Sequence, residues 1–402
     1  MQQTCVGIDV AKEFHWVSVT ITDPETGKAK EVLSRRFLND PDSMSAVLTQ
    51  VEEKAVGPVM VGIDVLGGIA RLLEVMVLQA GLDLVHVPGL AVKTARRATR
   101  GGEHKSDPRD ARVIADLVRA RDDLRVITAV SDSDVALGLL VGRRSELVVD
   151  QTRRLGRLRD LLSSVHPGLE RVTDPTRKIS LVLLSRWVTP AEIRAAGRGR
   201  ISRHLLASGR QRQAVVDQLV EAAVGAAHRQ QLTVPGEQVA AAIVKDLARE
   251  ALDVRAKLET LDAQIADLLA AHPDAALVQT LPGMGATLTA EFLAVAGGIS
   301  RFTNGDQLAA AAGLAPALQQ SGKVRYLQRA TSGDRTLKRV FYQSAFCALQ
   351  RDPASRTYYD RKRREGKTHH QAVIALARRR VNVLHAILRS RQPYQPRPAL
   401  AA

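Results

Sequence analysis

The chain has 402 residues, with 58 Lys and Arg against 42 Asp and Glu, so its formal net charge is +16. This length allows two or three domains with cores of their own. Two cysteines, Cys5 and Cys347, are too few for a disulfide framework or a cysteine zinc site, and no apolar run reaches the ~18–20 residues of a membrane helix. Asp9, Lys12 and Glu13 argue against a signal peptide, so a cytoplasmic protein without membrane contact is expected.

Residues 1–125 have the pattern of an α/β fold. Strand-like runs come first, and helical and strand-like runs then alternate, which is typical of a ribonuclease-H-like arrangement. The predicted strands are 5–22 (β-rich), 31–37, 59–65 and 82–87, and the predicted helices are 42–55, 69–79 and one that contains Asp107 and Asp110.

Four acidic residues occupy positions that suit metal ligands. Asp9 lies in the apolar run CVGIDVAKEFHWVSVT, and Asp64 repeats the pattern in PVMVGIDVLGG. Asp107 and Asp110 are three residues apart, so on a helix they project from one face. A carboxylate on a buried strand is costly unless it is paired or bound to a cation. The quartet therefore predicts a site for two Mg²⁺ ions roughly 4 Å apart.

The same acids also have ordinary structural interpretations. Asp64 could be a turn residue at the end of a strand. Asp107 could cap the following helix, since Pro108 suits the first helical position. Capping and metal binding are compatible, so the alternatives stay open at this point.

The middle of the chain is predicted to be helical. Apolar residues from Leu247 to Leu268 recur at alternating intervals of four and three, as in a coiled-coil seam, and a shorter run spans Leu155–Val165. The two segments could pair antiparallel, within one chain or between chains, and simple internal helix packing is the alternative. Residues 166–238, which they bracket, are predicted to be a small helical insert.

The last fifth of the chain holds nearly all of the net charge. Residues 321–402 contain 19 Lys and Arg but four acids, an excess of +15. Such a block neutralises phosphates and releases counterions, which predicts a nucleic-acid partner. A solvated basic tail is the alternative, but apolar residues recur between the charges from Val373 to Leu388, which favours a folded basic helix.

Two motifs in the C-terminal part could contact DNA. In LPGMGATLTAEFLA, Gly283 and Gly285 precede a helix and could offer backbone N–H groups to a phosphate. Ser321 follows in GLAPALQQSGKVRYLQRATSGDRTLKR, where a serine could act as a nucleophile if a base or metal activated it. No base is evident there, so Ser321 could equally lie in a plain polar turn, and Ser332 is a competing serine with the same alternative. The cations predicted to contact DNA are Lys323, Arg325, Arg329, Arg335, Lys338 and Arg339.

In the order and joint presence of these motifs, the chain resembles the DEDD transposases of the insertion-sequence family numbered one hundred and ten, also called bridge-RNA-guided recombinases. The resemblance covers nearly the whole length. It implies a RuvC-like domain over residues 1–128, a helical coiled-coil linker with an insert over 129–275, and a mainly α-helical basic transposase domain over 276–402.

The resemblance also implies an activity. Asp9, Asp64, Asp107 and Asp110 would hold Mg²⁺, and Ser321 would attack DNA. A structured bridge RNA would guide the enzyme to double-stranded donor and target DNA, and the enzyme would act as a dimer or tetramer. The family pattern has Glu at the second acidic position, followed by Gly and an aromatic residue. Here Asp64 is followed by Val65, Leu66, Gly67 and Gly68, so the carboxylate reaches one methylene less far.

Three other functions compete with a transposase. A metal-only RuvC-like nuclease or Holliday-junction resolvase would use the acids and leave Ser321 without a role. A sugar kinase or actin-like ATPase is suggested by GIDVAK, but those phosphate loops need Gly and Thr soon after the Asp, and neither is present. The third is a non-catalytic RNA or DNA scaffold.

Overall fold

The structure is a computed structural model that describes residues 3–23, 26–98, 103–129, 131–322, 324–328 and 330–396. The chain divides into two compact units, Met1–Val130 and Ser131–Ala402. Two predicted DNA-contacting cations, Lys323 and Arg329, lie outside the described residues. Within the described ranges, no helix is long and apolar enough to cross a membrane. The three-domain division at residues 128 and 275 stays a prediction.

The first unit is built on a six-stranded mixed sheet in the order β3-β2-β1-β4-β5-β6. β1 pairs antiparallel with β2 and parallel with β4, and β5 continues the parallel part. The predicted β-rich stretch 5–22 therefore consists of two antiparallel strands, and the short last strand was not predicted. The strands are β1 (Thr4–Asp9), β2 (Phe14–Thr22), β3 (Ala29–Leu38), β4 (Val59–Ile63), β5 (Asp83–His86) and β6 (Arg125–Ile127).

Four α-helices accompany this sheet among the described residues. The apolar residues of the central strands, such as Val6, Ile8, Val61 and Ile63, are almost completely buried, because helices and neighbouring strands cover them. Residues 89–98 were noted in the sequence only as part of a basic segment, yet they form a helix. The helices are α1 (Pro41–Lys54), α2 (Arg71–Gln79), α3 (Gly89–Ala98) and α4 (Asp107–Ala120).

Two glycines let α4 lie directly on the central strands. A Cβ atom on Gly7 would be 2.1 Å from the carbonyl oxygen of Ala111 and 2.4 Å from the amide nitrogen of Ala115. A Cβ atom on Gly62 would be 2.3 Å from a methyl group of Val118. Each glycine stands two residues before an acid, in GID, so the close approach fixes the helix beside the strand ends that carry Asp9 and Asp64.

The second unit is helical apart from one β-hairpin within the described residues. The hairpin strands are β7 (Ala317–Ser321) and β8 (Val324–Gln328). The helices are α5 (Asp132–Val165), α6 (Pro167–Val172), α7 (Lys178–Leu184), α8 (Pro190–Ala207), α9 (Gln213–Arg229), α10 (Glu237–Ala271), α11 (Ala275–Thr280), α12 (Ala286–Ala296), α13 (Gly305–Ala311), α14 (Arg335–Ala348), α15 (Pro353–Arg364) and α16 (His369–Ser390).

The two long helices α5 and α10 pair antiparallel within the chain. Arg144 on α5 forms an ion pair with Asp262 at 2.5 Å, and Arg154, ten residues further on, pairs with Glu250 at 2.8 Å. Because one partner number rises as the other falls, the helices run in opposite directions. This pairing is one of the two arrangements that the sequence left open; the coiled-coil linker itself stays a prediction.

The predicted seam of α10 is only partly covered by this pairing. Ala251, Val254 and Ile265 are buried, whereas Leu258 and Leu261 are half-buried. The middle of the seam therefore keeps apolar surface within the described residues.

Separate hydrophobic cores lie at the two ends of the helix pair. One core joins α6, α7, α8 and α9 to the adjoining halves of α5 and α10, so the predicted insert 166–238 is a packed helical bundle. The other core joins α11–α14 and α16 to the opposite ends of α5 and α10. The basic residues between 371 and 390 thus lie on a folded helix, α16, whose apolar side is buried in that core.

Candidate active site and nucleic-acid interface

Asp9 and Asp64 lie side by side at one edge of the sheet. Asp9 ends β1, and Asp64 directly follows β4, whose Ile63 is in register with Ile8 of β1. Since β1 and β4 are parallel neighbours, their carboxyl ends meet at the same edge. The repeated GID motif therefore places two carboxylates together.

The first turn of α4 contributes Asp107 and Asp110 to the same region. Asp110 is buried, with a side-chain exposure of 6%, whereas Asp107 is exposed. The N-cap position belongs to Ser106, and Pro108 lies in the first turn. Asp107 is therefore not the N-cap of α4, which removes the capping interpretation of this carboxylate.

The four carboxylates are close enough to influence the pKa of Asp9. Burial and, after it, the negative charges of Asp64, Asp110 and Asp107 together raise the pKa of Asp9 to about 7, while Lys105 opposes them. A carboxylate that is repelled by three others favours protonation or a cation nearby. The structure thus brings the predicted quartet within interaction range.

Asp64 has an incomplete set of partners. Burial raises the pKa of Asp64, and a hydrogen bond from the backbone of Val10 works against that shift. Its Oδ1 atom is buried with no hydrogen-bond partner among the described residues. A buried carboxylate oxygen without a donor is costly, and a cation would satisfy it.

Sequence reasoning missed two residues beside the quartet. Arg96 on α3 donates from Nη1 to both carboxylate oxygens of Asp110, at 2.7 and 2.6 Å. His86, at the end of β5, hydrogen bonds to the backbone of Asp64, and burial lowers the pKa of this imidazole. The sequence signalled Arg96 only as one cation of a basic segment, and it signalled His86 only as the polar end of a strand.

In the described arrangement, the oxygen atoms of the four carboxylates fit a hard divalent cation only in part. Among the described residues, no three His, Cys, Asp or Glu side chains are close enough to hold a metal ion. Asp9 and Asp64 offer carboxylate oxygens, of which one is unpartnered, and Asp107 is accessible. Both oxygens of Asp110 are engaged by Arg96 in this arrangement.

Ser321 lies in the second unit, at the tip of the β7–β8 hairpin. It ends β7 opposite Val324, and Gly322 follows with φ +55°. All described residues of both strands are exposed. No side-chain hydrogen bond to Ser321 occurs within the described part of the chain, so no base is present beside it there.

Close contact between two glycines fixes the base of this hairpin. A Cβ atom on Gly313 would lie 2.6 Å from the carbonyl oxygen of Ser332, and one on Gly333 would lie 2.4 Å from the nitrogen of Gly313. The backbone N–H of Asp334 also donates to the carbonyl of Ala311 at 2.7 Å. The two ends of the segment are therefore clamped together, and the arms with Ser321 extend from a fixed base.

The glycine turn before α12 has a packing role. Gly283 has φ +81°, and a Cβ atom there would lie 2.5 Å from the carbonyl oxygen of Ser344 on α14. Arg380, with 3% exposure, donates to Ser344 Oγ and to the carbonyl oxygen of Pro282. Gly285 is the N-cap of α12 and has open space around it. Packing thus explains Gly283, and a phosphate contact at either glycine stays a prediction.

The predicted cations differ in their surroundings. Arg325 lies exposed on β8, and Arg335 and Lys338 lie in the first turn of α14. Arg339 pairs with the buried carboxylate of Glu291 at 2.5 Å. Its charge is therefore largely compensated, which makes it less suited to phosphate than Arg325 or Arg335.

The first unit has a group of carboxylates at its strand ends, and the second unit is helical and basic. These are the features of an enzyme that acts on polynucleotides. Comparison with known proteins agrees. A transposase family model of the DEDD type matches residues 6–167, and the model of the transposase IS116/IS110/IS902 family matches residues 275–360.

Several relatives are similar over the full length. The 42 kDa protein of insertion element IS900 from Mycobacterium paratuberculosis is 39% identical, over 100% of this chain and 99% of its own. The 44.8 kDa protein of insertion element IS116 from Streptomyces clavuligerus is 36% identical, over 98% of this chain and 96% of its own. A pilin gene-inverting protein from Moraxella lacunata is 33% identical over 34% of this chain and 45% of its own.

The chain belongs to the IS116/IS110/IS902 transposase family. It is a DNA transposase or recombinase of an insertion sequence, as predicted from its motifs, and DNA is its substrate. Divalent metal is typical of DEDD nuclease-like domains, which agrees with the carboxylates at the sheet edge.

Proposed function

We propose that the chain cuts and rejoins strands of double-stranded donor and target DNA with Mg²⁺-binding carboxylates and with Ser321 as the nucleophile. The observation that carries the metal site is the convergence of four carboxylates at one sheet edge, where burial and then their repulsion raise the pKa of Asp9 to about 7 and Asp64 has a buried oxygen without a partner. Repulsion of this kind is relieved when a cation binds between the carboxylates.

We assign the first unit to the RuvC-like, ribonuclease-H-like class. Support comes from its sheet, in which the antiparallel strands β3, β2 and β1 are continued by the parallel strands β4 and β5. Further support comes from the acids at the ends of β1 and β4 and in the first turn of α4. The DEDD family model matches residues 6–167, which include most of this unit and its acids.

In this proposal the chain's own residues divide the work. Asp9 and Asp64 hold the cation between the two strand ends, Asp107 completes the set from α4, and Arg96 has to release Asp110 before it can join. Bound Mg²⁺, in two copies, would polarise the scissile phosphate and lower the pKa of the attacking hydroxyl. Arg96 neutralises Asp110 until then, which limits the repulsion at the empty sheet edge.

Ser321 would carry the strand during the exchange. The Oγ–H group loses its proton to a base as Oγ forms an ester bond to the scissile phosphorus, the bond to the departing strand oxygen breaks, and that oxygen takes up a proton. Attack by another strand oxygen on the phosphoserine reverses the step and rejoins DNA without an external energy source. The exposed hairpin supports this role because it presents Ser321 to a large substrate, with Arg325, Arg335 and Lys338 on neighbouring segments.

Two further parts of the proposal rest on the family resemblance. A structured bridge RNA selects the donor and target sequences, and two or four copies of the chain assemble to handle two duplexes. The carboxylates of the first unit would then supply the base that the described surroundings of Ser321 lack.

The decisive experiment traps the covalent intermediate. Purified chain with Ser321→Ala is incubated with end-labelled DNA, RNA and Mg²⁺, and protein–DNA adducts are separated on a denaturing gel. We expect DNA and RNA binding to persist while adduct and recombinant products disappear. Ser332→Ala, a change at an exposed serine after the same hairpin, is the matched control and should leave both products intact.

One observation favours a second candidate, a metal-only nuclease in which water attacks. Ser321 has no activating partner within the described residues, and the hairpin could then be a DNA-binding element alone. If Ser321→Ala cuts DNA at the normal rate, water is the nucleophile and the serine assignment is wrong.

A further inference from the structure

Aromatic side chains are scarce in this chain, yet they collect on one surface of the second unit. The whole chain has two Trp, five Tyr and six Phe. Four of these thirteen rings lie between residues 342 and 359, and two histidines follow directly. The six rings, here called the ring surface, are Tyr342 and Phe346 on α14, Tyr358 and Tyr359 on α15, and His369 and His370 on α16.

The rings of this surface contact one another across three helices. The hydroxyl of Tyr359 lies 2.8 Å from Nδ1 of His369, and their ring centroids are 5.7 Å apart. His369 also lies 6.3 Å from Phe346, and His370 lies 5.2 Å from Tyr342 with its plane tilted by 38°. The rings therefore form two neighbouring groups, one centred on His369 and one of Tyr342 with His370, which consecutive residues of α16 join.

Half of the ring surface is open to solvent. Phe346 is 39% exposed, and both histidines are exposed. The three tyrosines are half-buried, because they pack against the core formed by α14 and α16. Phe346, His369 and His370 are therefore the rings that a planar ligand can reach within the described part of the chain.

Cations surround the ring surface. The guanidinium groups of Arg361 and Arg379 lie 5.1 and 5.0 Å from the centroid of Tyr358, and the ammonium group of Lys362 lies 5.6 Å from it. One ring thus gathers three positive charges. Glu365 compensates Arg361 and Lys362 through ion pairs.

Other cations at this edge lack a direct ion-pair partner among the described residues. Arg364 and Lys367 are exposed, and neither forms an ion pair with any residue that the structure describes. They lie at the end of α15 and in the link to α16, next to the two histidines. Planar rings and uncompensated cations therefore stand side by side, as required for a ligand with stackable bases and phosphates.

We propose that the ring surface, with Arg364, Lys367 and Arg379, binds an unpaired stretch of a DNA strand. Bases of a duplex are stacked on each other and cannot offer their faces, whereas unpaired bases stack on exposed aromatic side chains while cations hold the phosphates. An acidic peptide would use the cations but would leave the rings without a role. DNA is the substrate of this family, and the inference rests on the proposed function, in which a strand has to leave its complement in order to be exchanged.

Binding to short labelled oligonucleotides tests the stacking part. The full chain is titrated in EDTA with a 20-nucleotide oligothymidine and with a duplex of the same length, and fluorescence anisotropy gives both affinities. We expect the double variant Phe346→Ala with His370→Ala to bind oligothymidine about tenfold more weakly, since stacking is lost at two rings. Duplex affinity should change by less than about twofold, because the charges are kept. Unchanged oligothymidine affinity, or an equal loss on duplex, overturns the proposal.

The charge part has a matched control. For Arg364→Ala with Lys367→Ala, the slope of log affinity against log salt should fall by about 1.4 on oligothymidine, because two phosphate contacts are lost. Arg200→Ala with Arg203→Ala removes two exposed cations from α8, in the other helical bundle, and should leave the slope unchanged. If the control lowers the slope equally, only net charge matters and the surface is not a site.

An oligouridine of the same length separates DNA from RNA. We expect the ring variant to lose affinity for oligothymidine at least as much as for oligouridine. If the loss is confined to oligouridine, the surface belongs to RNA and the assignment to DNA is wrong.

Discussion

Individual carboxylates define the candidate active site, and their environments differ sharply. Asp9 is repelled by its neighbours, Asp64 has a buried oxygen without a partner, and Asp110 is neutralised by Arg96. Asp107 is exposed and does not cap its helix. The four acids are therefore unequal, and we expect Asp9 and Asp64 to bind the first cation.

Neutral amides at the quartet should abolish cleavage. Asp9→Asn or Asp107→Asn removes an anionic ligand, which we expect to cost several kcal/mol of transition-state stabilisation, or at least about a hundredfold in rate. Cleavage of labelled DNA in Mg²⁺ measures this, and thermal unfolding checks that the fold is kept. Asp122→Asn, an exposed acid after α4, is the control. Undiminished recombination by Asp9→Asn would refute the metal site.

A buried histidine should make the helical bundle sensitive to acid. His166 has 0% exposure, its Nδ1 lies 2.8 Å from the carbonyl oxygen of Val188, and burial lowers its pKa below 6.5. Below pH 6.5 the unfolded state therefore binds a proton that the folded state resists, so the free energy of unfolding decreases as the pH falls.

Thermal unfolding at pH 7 and pH 5 tests this prediction. We expect the unfolding temperature of the parent to fall more between pH 7 and pH 5 than the unfolding temperature of His166→Asn. The amide of the variant can still donate to the carbonyl oxygen of Val188 but cannot titrate. An equal fall in both proteins would show that other groups cause the acid sensitivity.

At the scale of elements, all described strand residues of the hairpin β7–β8 are exposed to solvent. The orientation of the hairpin on the second unit depends on the contact between Gly313 and Gly333. The hairpin makes its main-chain pairs internally, from Ala317–Gln328 to Ser321–Val324. Its strands are exposed on both faces, so the core does not fix their orientation. The base of the hairpin therefore has to do so.

Gly313→Ala should damage this base more than Gly322→Ala damages the tip. Both glycines have φ near +60°, so alanine costs about 1 kcal/mol of unfolding free energy at either position. Only at Gly313 would the new methyl group also meet the Ser332 carbonyl, at 2.6 Å, which adds roughly 1–3 kcal/mol. Denaturant unfolding and phosphoserine adduct yield give the comparison. Equal effects of the two changes would rule out a special role for the base.

At the scale of the whole molecule, the second unit has two helical cores joined by the pair α5–α10. Ion pairs between these helices hold the middle of the pair, where few side chains are buried. The half-buried Leu258 and Leu261 lie there, and they are the part of the seam that a second copy could cover.

Charges introduced at this point should weaken assembly. Leu258→Asp with Leu261→Asp places two carboxylates on the seam, and we expect the dimer or tetramer formed with RNA and DNA to dissociate, as measured by light scattering. Val239→Asp with Ile243→Asp changes exposed apolar residues of the same helix outside the seam and should leave assembly unchanged. If the parent is already a monomer with both nucleic acids present, the seam serves internal packing alone.

The sequence by itself determined the features that depend on neighbours along the chain. Apolar runs placed Asp9 on a strand and Asp64 in a similar strand-like segment, whose strand ends at Ile63, and the three-residue spacing placed Asp107 and Asp110 on one helical face. The motifs also predicted the transposase family, which the comparisons confirm. These signals are local because backbone hydrogen bonding and side-chain periodicity are local.

Only the tertiary structure decided which distant groups meet. Arg96 reaches Asp110 because α3 packs on α4, and nothing in the basic segment distinguishes Arg96 from Lys93 or Arg97. Likewise, the pairing of α5 with α10 joins residues about a hundred positions apart, as Arg154 and Glu250 show. The reason is physical. The path of the connecting chain and the shape left by the rest of the core decide which cation neutralises a buried acid. They also decide which face a helix covers.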